Sequence, residues 1–181
     1  QSCIYVRDSV TAEIADTQFV NNRISGIWMD NDQPEMHPYL TADPTTGFIR
    51  RCRFEGIDSN PEDPYAPFAM TLVYVGGPFQ VSDCDIVDNP NMDWGFVVID
   101  GSALMRNCTF ERNRMGTTDG VVGGAQFNLE SELRVENCII AANSGEVETP
   151  AVHGYGNAVL AISDTVIAGN SFGGVVDGIQ L

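Results

Sequence analysis

Apolar residues in this chain recur in short segments that alternate with polar residues. The period is two, whereas an amphipathic helix needs a period of 3.6. Val, Ile, Phe and Thr dominate these segments, and residues of this kind favour a pleated, half-buried backbone. The pattern therefore predicts an all-β protein made of short strands.

One six-residue pattern returns six times: an apolar residue, two polar or basic residues, Cys or Thr, any residue, and Phe or Ile. The fourth place is held by Thr17, Cys52, Cys84, Cys108, Cys138 and Thr165. In five copies an Asn follows three residues after the last apolar residue, at Asn22, Asn89, Asn113, Asn143 and Asn170. The copies lie 24 to 35 residues apart, so a fixed scaffold carries loops of variable size. Such a repeat indicates a solenoid.

The fourth repeat illustrates one coil. Phe96–Ile99 predicts a first strand, Ala103–Met105 a second and Cys108–Phe110 a third, with a corner at Asp100–Ser102. Equivalent first strands are predicted at Ile4–Val6, Ile27–Met29, Met70–Val75, Gln126–Leu129, Ala151–His153 and Val175–Val176. The chain therefore predicts six full coils and the start of a seventh.

The wording of the repeats resembles a known family. Leu104–Asn113 (LMRNCTFERN) and Arg134–Asn143 (RVENCIIAAN) are similar to repeats of the right-handed parallel β-helix superfamily, especially those of polymorphic outer-membrane proteins and pectate-lyase-like folds. The resemblance covers almost the whole chain and implies one right-handed parallel β-helix domain over residues 1–181. It does not select a function, because this scaffold carries lyases, hydrolases, adhesins and plain structural segments.

Stacked coils pair like strands of a parallel sheet, so equivalent residues should form rows along the solenoid. The predicted inward rows are Ile14, Ile49, Val81, Met105, Val135 and Ile162; the Cys/Thr row; and Phe19, Phe54, Ile86, Phe110, Ile140 and Ile167. The Asn row is expected at a corner, where amides satisfy turn backbone groups and one another. The row cysteines are expected to be buried free thiols, because stacked Cβ vectors run parallel and do not aim at each other.

Charge narrows the choice of partners. The chain has 25 acidic residues and nine arginines, no lysine, and a net charge of −16. Such a surface repels nucleic acid and anionic membranes and attracts divalent cations or basic partners. No run approaches the roughly 20 apolar residues that span a bilayer, so no membrane insertion is expected. An acidic, lysine-free surface is also typical of proteins that stay soluble at high salt.

Paired carboxylates are the chemistry of glycoside cleavage, and Asp83 and Asp85 flank Cys84 on the outward side of one strand. Laid against the preceding coil, they face Arg51 and Arg53. The same alignment predicts the ion pairs Asp88–Arg112 and Arg106–Glu136. Ion pairing between coils favours a structural role, so no catalytic residue is predicted. Zinc spacing, phosphate loops and the motifs of polygalacturonases do not occur.

Variable loops fall mostly at one corner, at Asp58–Phe68, Arg114–Gly124 and Ser144–Pro150, with a fourth at Asn31–Thr46. The acidic turns offer oxygen ligands of the kind that Ca²⁺ takes, and the candidate calcium ligands are Asp30, Asp32, Asp58, Asp63, Asp88 and Asp93. None matches a twelve-residue calcium loop, so solvated turns remain the alternative. No cofactor is required by any motif.

Two further surface features bear on partners. Trp28, Tyr39, Tyr65, Trp94 and Tyr155 are able to stack on sugar rings or to clamp loops onto the scaffold. Clamping is favoured for Trp28 and Trp94, which adjoin predicted strands. Asn107-Cys-Thr109 fits the acceptor pattern for N-glycosylation, which makes Asn107 a candidate glycosylation site.

The sequence as a whole favours an extracellular or cell-surface, non-catalytic segment that displays loops along one edge. Both Cys3–Val6 and Val175–Leu181 are strand-like, which suggests a piece of a longer protein and end-to-end stacking with other copies or neighbouring domains, as in a filament or shaft. The alternative is a carbohydrate-active enzyme, a polysaccharide lyase or glycoside hydrolase, or a carbohydrate-binding module of the pectate-lyase-like class.

Overall fold

The computed structural model describes residues 2–7, 11–23, 25–30, 46–58, 68–73, 79–115, 121–125, 131–145, 150–171 and 174–177. These residues form 19 strands and no helix. The strands lie in three sheets, A, B and C, in which neighbouring strands run parallel. The architecture is the predicted all-β solenoid.

Sheet A contains β1 (Ser2–Arg7), β4 (Ser25–Asp30), β7 (Phe68–Val73), β10 (Trp94–Ile99), β13 (Val122–Ala125), β16 (Pro150–Tyr155) and β19 (Gly174–Asp177). Sheet B contains β2 (Thr11–Ala15), β5 (Thr46–Arg50), β8 (Phe79–Ser82), β11 (Ser102–Arg106), β14 (Glu132–Glu136) and β17 (Val159–Ser163). Sheet C contains β3 (Gln18–Val20), β6 (Arg53–Glu55), β9 (Asp85–Val87), β12 (Thr109–Glu111), β15 (Ile139–Ala141) and β18 (Val166–Ala168).

Consecutive strands pass from sheet A to B to C, and every third strand returns to the same sheet. Three strands therefore make one coil, and β10, β11 and β12 make the fourth. Sheet A has seven strands and sheets B and C have six each, which confirms six full coils and the start of a seventh.

The register confirms both predicted inward apolar rows. In sheet B, Met105 pairs with Val81 on one side and Val135 on the other. In sheet C, Phe110 pairs with Ile86 and Ile140. The side chains of these rows in coils two to five are buried in one continuous core, since strand alternation sends every second residue inward. Burial of this apolar area is the main stabilising contribution to the fold.

The corner between sheets B and C is a tight turn with one residue in the left-handed region. That residue is Asp16, Arg51, Asp83, Asn107, Asn137 or Asp164, with φ between 49° and 55°. The Cys or Thr follows, and its side chain donates to the carbonyl oxygen two residues earlier. Thr17 Oγ1 lies 2.8 Å from Ala15 O, and Cys84 Sγ lies 3.2 Å from Ser82 O. The third strand begins after this residue, so the predicted strand Cys108–Phe110 starts one residue too early.

The corner between sheets C and A repeats the left-handed turn at Asn21, Gly56, Asp88, Arg112, Ala142 and Gly169, with φ between 53° and 65°. The Asn row follows it, and its amides form the predicted ladder. Asn89 Nδ2 donates to Asn113 Oδ1 at 2.7 Å, and Asn113 Nδ2 donates to Asn143 Oδ1 at 2.9 Å. Ile57 takes the Asn place in coil two, and its backbone N–H still donates to Asn89 Oδ1 at 2.8 Å.

The first strand of coil five lies outside its predicted position. The structure places it at Val122–Ala125, inside the predicted loop Arg114–Gly124, whereas the predicted strand Gln126–Leu129 falls on residues 126–130, which lie outside the described residues. Gly123 explains the difference between prediction and structure. Glycine is typical of loops, but here it lies in a strand under the ring of Trp94. A Cβ on Gly123 would stand 1.9 Å from Trp94 Cζ3, so only glycine fits there.

Candidate functional site

The carboxylates beside Cys84 were the best candidates for catalysis, and both are engaged by neighbouring coils. Arg53 Nη1 lies 3.5 Å from Asp85 Oδ2, which confirms that predicted pair. Asp83 Oδ1 accepts a hydrogen bond from Asn107 Nδ2 at 3.0 Å. Both carboxylates therefore join one coil to the next.

The predicted pairing of Arg51 with Asp83 is wrong. Arg51 turns to the other neighbouring coil and donates from Nε and Nη2 to the two carboxylate oxygens of Asp16, at 2.6 Å each. This two-bond geometry matches the planar guanidinium to the planar carboxylate, and it outweighs a single bond to Asp83. The hydrogen bonds from Arg51 lower the pKa of Asp16.

The other two predicted ion pairs are confirmed. Arg112 donates from Nε and Nη2 to the carboxylate of Asp88, at 2.7 and 2.9 Å, and this lowers the pKa of Asp88. Arg106 Nε lies 2.7 Å from Glu136 Oε2. Ion pairs between residues of a single strand, such as Arg134–Glu132 at 2.7 Å, do not follow from an alignment of neighbouring coils. All of these pairs are exposed, so they are screened by water and act mainly on register.

The structure brings Asp58 to the turn that holds Asp88 and Asp93, because Asp58 and Asn91 form a parallel bridge. Asp58 is exposed, Asp93 is half-buried, and Asp88 is bound by Arg112. Asp30 is the last residue of β4, and Asp32 and Asp63 lie outside the described residues. Within the described ranges, no group of three or more His, Cys, Asp or Glu residues is arranged to hold a metal ion. Calcium binding stays a prediction.

Asn107 belongs to an outer row of amides that sequence reasoning missed. Its Nδ2 donates to Asp83, and its Oδ1 accepts from Asn137 Nδ2 at 2.7 Å. The available signal was the residue before each Cys, which is Asp or Asn in three successive coils. Asn107 is exposed, and a glycan would take one of the two hydrogens of the Nδ2 group that donates to Asp83. Glycosylation there stays a prediction.

Aromatic residues of sheet A divide into packed and exposed ones. Trp94 is buried over Gly123 and stacks on His153, with ring centroids 6.0 Å apart and an interplanar angle of 9°. Trp94 thus joins coils four, five and six. Trp28 is half-buried, and Tyr155 is 54% exposed. Tyr39 and Tyr65 lie outside the described residues.

A model of the right-handed β-helix region matches residues 1–180. The chain belongs to the right-handed β-helix family. Searches among curated proteins and among solved structures returned no match. The match of the family model to residues 1–180 confirms that the repeats are those of a right-handed β-helix. It establishes the scaffold rather than an activity.

The surface of this β-helix has two shallow depressions lined by charged residues. One, of about 390 Å³, lies on the outer face of sheet B and is lined by Ser102, Leu104, Arg106, Glu132, Arg134 and Glu136. Its two arginines bind its two glutamates. The other, of about 430 Å³, is lined by Asp16, Gln18, Arg51, Cys52, Arg53, Asp83 and Asp85. Charges in both depressions are largely matched by opposite charges.

In the described part of the β-helix, no helix is long and apolar enough to cross a membrane.

Proposed function

We propose that this β-helix is a non-catalytic structural or adhesive segment that works outside the cell or on its surface and presents loops along one edge. The observation that carries the proposal is the engagement of Asp83 and Asp85 by Asn107 and Arg53 of adjacent coils. The carboxylates best placed for chemistry serve instead to join one coil to the next.

A stiff core supports a display role. The Asn amides hydrogen-bond one another from Asn89 through Asn113 and Asn143 to Asn170, across four coils. These bonds run along the solenoid axis and reinforce the parallel sheets. A scaffold of this kind holds its loops at fixed spacing, which is what a partner-binding edge requires.

Assembly through open coil edges is part of the proposal. Within the described residues, β17 and β18 each pair with a strand on one side only. Ile162 and Ile167 are half-buried there, whereas Met105 and Phe110, at the same places in coil four, are buried. A coil from another copy or a neighbouring domain would cover these side chains and complete both sheets. Polysaccharide and calcium at the loop edge are further proposed partners.

A degradation assay tests the non-catalytic role. The purified protein is incubated with a panel of acidic and neutral polysaccharides, with and without calcium, and both unsaturated products and new reducing ends are followed. We expect no turnover. Turnover that is lost in Asp83→Asn/Asp85→Asn, with the fold retained by circular dichroism, would overturn the proposal.

Sedimentation tests the assembly. Val166 on β18 is 55% exposed, and Val166→Lys places a charge on the terminal coil. Thr109→Lys places the same charge at the equivalent outward position of β12, in the fourth coil. We expect the wild-type protein to associate with rising concentration, Val166→Lys to associate less, and Thr109→Lys to match the wild type. Equal association by both variants would contradict stacking through coil six.

A carbohydrate-binding module is the second candidate, and the exposure of Tyr155 favours it. Tyr155 lies two residues after His153 on the same strand, next to the Trp94–His153 stack, and the exposed ring is available for stacking on a sugar. Tyr155→Ala should then weaken retention on a polysaccharide column. Tyr5→Ala, which removes an equally exposed ring, is the matched control.

A further inference from the structure

Four thiols form a continuous column inside the β-helix. Cys52, Cys84, Cys108 and Cys138 occupy one row in coils two to five, and none is more than 2% exposed. All are free. Each donates to the carbonyl oxygen two residues earlier, and Cys52, Cys84 and Cys108 each have a cysteine at the same place in the next coil. The column therefore contains three adjacent thiol pairs, and none of them takes part in the proposed function.

One backbone amide points at a sulfur atom of the column. Cys108 N–H donates to Cys138 Sγ at 3.4 Å, and Cys138 N–H donates in the same way to Thr165 Oγ1 at 3.3 Å. An N–H donor stabilises a thiolate, as it does around metal-bound sulfur.

We propose that neighbouring thiols of this column form two-coordinate sites for a soft monovalent cation of the Cu(I) and Ag(I) class. Thiolates select such ions over hard cations. A zinc–thiolate bond is about 2.3 Å long, and two bonds of that length make a linear S–M–S unit of about 4.6 Å, close to the spacing of about 4.8 Å between adjacent strands. Two ligands suffice for such a unit.

The binding step balances in protons and charge. Two thiols and one M⁺ give one bis-thiolate anion, RS–M–SR⁻, and two protons leave to solvent, with no electron transferred. At the pair Cys108 and Cys138, the backbone N–H of Cys108 faces Cys138 Sγ and offsets part of the remaining negative charge. A disulfide would instead need the Cβ atoms of neighbouring coils to approach each other, which a parallel stack opposes.

Cys52 stands at one end of the column. It is 2% exposed and lies beside the depression of about 430 Å³, which is lined by the carboxylates of Asp16, Asp83 and Asp85 and by Arg51 and Arg53. The net charge of −16 concentrates cations around the protein as a whole.

Two double variants test whether binding needs two adjacent thiols or only two thiols anywhere in the column. Threonine replaces cysteine, because Thr17 and Thr165 already hold this place in coils one and six. Cys52→Thr/Cys84→Thr keeps the adjacent pair Cys108 and Cys138. Cys84→Thr/Cys138→Thr keeps two thiols that are not adjacent. Both carry Cys3→Ser, which removes the exposed thiol outside the column.

Folded protein is titrated with Ag(I), the released protons are counted, and the bound silver is measured after a wash with excess glutathione. We expect the paired variant to release two protons per ion and to retain at least about ten times more silver than the unpaired variant. Equal retention, or retention only after circular dichroism reports unfolding, would overturn the proposal. If a double variant does not fold, the intact column, which has two separate pairs, is compared with Cys84→Thr, which keeps one, and equal retention again overturns the proposal.

Discussion

The corner between sheets B and C and the corner between sheets C and A turn the backbone in the same way but hold it with different chemistry. Both place one residue in the left-handed region. Cys or Thr follows it at the first, the Cys corner, and Asn follows it at the second, the Asn corner, except in coil two, where Ile57 follows. At the Asn corner, Asn113 accepts from Asn89 Nδ2 and donates to Asn143 Oδ1 and to Ile86 O. At the Cys corner, Cys108 Sγ donates to Arg106 O at 3.2 Å, and it is a weak donor.

This difference explains what each corner tolerates. The amide donates and accepts in fixed directions, so it continues a ladder from coil to coil. The Cys corner needs one short donor to a nearby carbonyl, and threonine supplies it equally well at positions 17 and 165. We therefore expect substitutions to cost much more at the Asn corner than at the Cys corner.

Asn113→Ala should have the largest effect. It removes the acceptor of the buried Asn89 amide and the donor to Ile86 O, and buried unpaired polar groups cost about 1 to 3 kcal/mol each. We expect a loss of about 3 kcal/mol in the free energy of unfolding, measured in urea. Asn22→Ala is the control, because Asn22 is half-buried and its neighbour in the row is Ile57. Equal losses in the two variants would refute the ladder.

Ile57→Asn tests whether the ladder accepts an added amide. Ile57 is buried in the Asn row, and its backbone already donates to Asn89 Oδ1. An amide here gains a partner in Asn89, so we expect a loss of about 1 to 2 kcal/mol, smaller than the 2 to 5 kcal/mol typical of Ile57→Ala. Urea unfolding measures the loss of unfolding free energy in both variants. A larger loss for Ile57→Asn than for Ile57→Ala would show that the ladder does not accept an added amide.

Cys108→Val should cost about 1 kcal/mol more than Cys108→Thr, because valine has threonine's shape and lacks the donor to Arg106 O. The threonine variant should unfold within about 1 kcal/mol of the wild type. Thermal and urea unfolding provide the comparison. If valine were as well tolerated as threonine, the corner bond would contribute nothing.

Asp88→Asn should have the smallest effect. Asp88 is the exposed left-handed residue of the Asn corner, and Arg112 lowers its pKa. A lowered pKa in the folded state stabilises the protein above the unfolded value of about 3.9, and this contribution is lost as the pH falls through the folded pKa. We expect the difference from the wild type to be under about 1 kcal/mol at pH 7 and to vanish at lower pH. A difference that grows on acidification would show that another group is responsible.

The sequence was sufficient to predict the rows of inward side chains but not every strand of sheet A. The repeat placed Cys or Thr and Phe or Ile at the same points of all six coils, and Asn at the same point of five, so their neighbours followed from alignment. The first strand of coil five escaped because Val122–Ala125 contains Gly123 and Gly124, which are typical of loops. The strand Val122–Ala125 is stabilised by Trp94 from the preceding coil and His153 from the following coil. Residues so distant in the chain leave no signal in the sequence around the strand.

The sequence by itself determined the number of coils, the register and the inward face of each strand, because a solenoid that stacks in register turns every repeated position into a row. The tertiary structure decided which of two neighbours a side chain binds. Arg51 lies between Asp16 and Asp83, one coil away on either side, and it binds Asp16. Asp83 then accepts from Asn107, which removes the pair of carboxylates that most resembled an active site. The reason is physical: row neighbours are nearly equidistant, so side-chain geometry, rather than residue order, selects the partner.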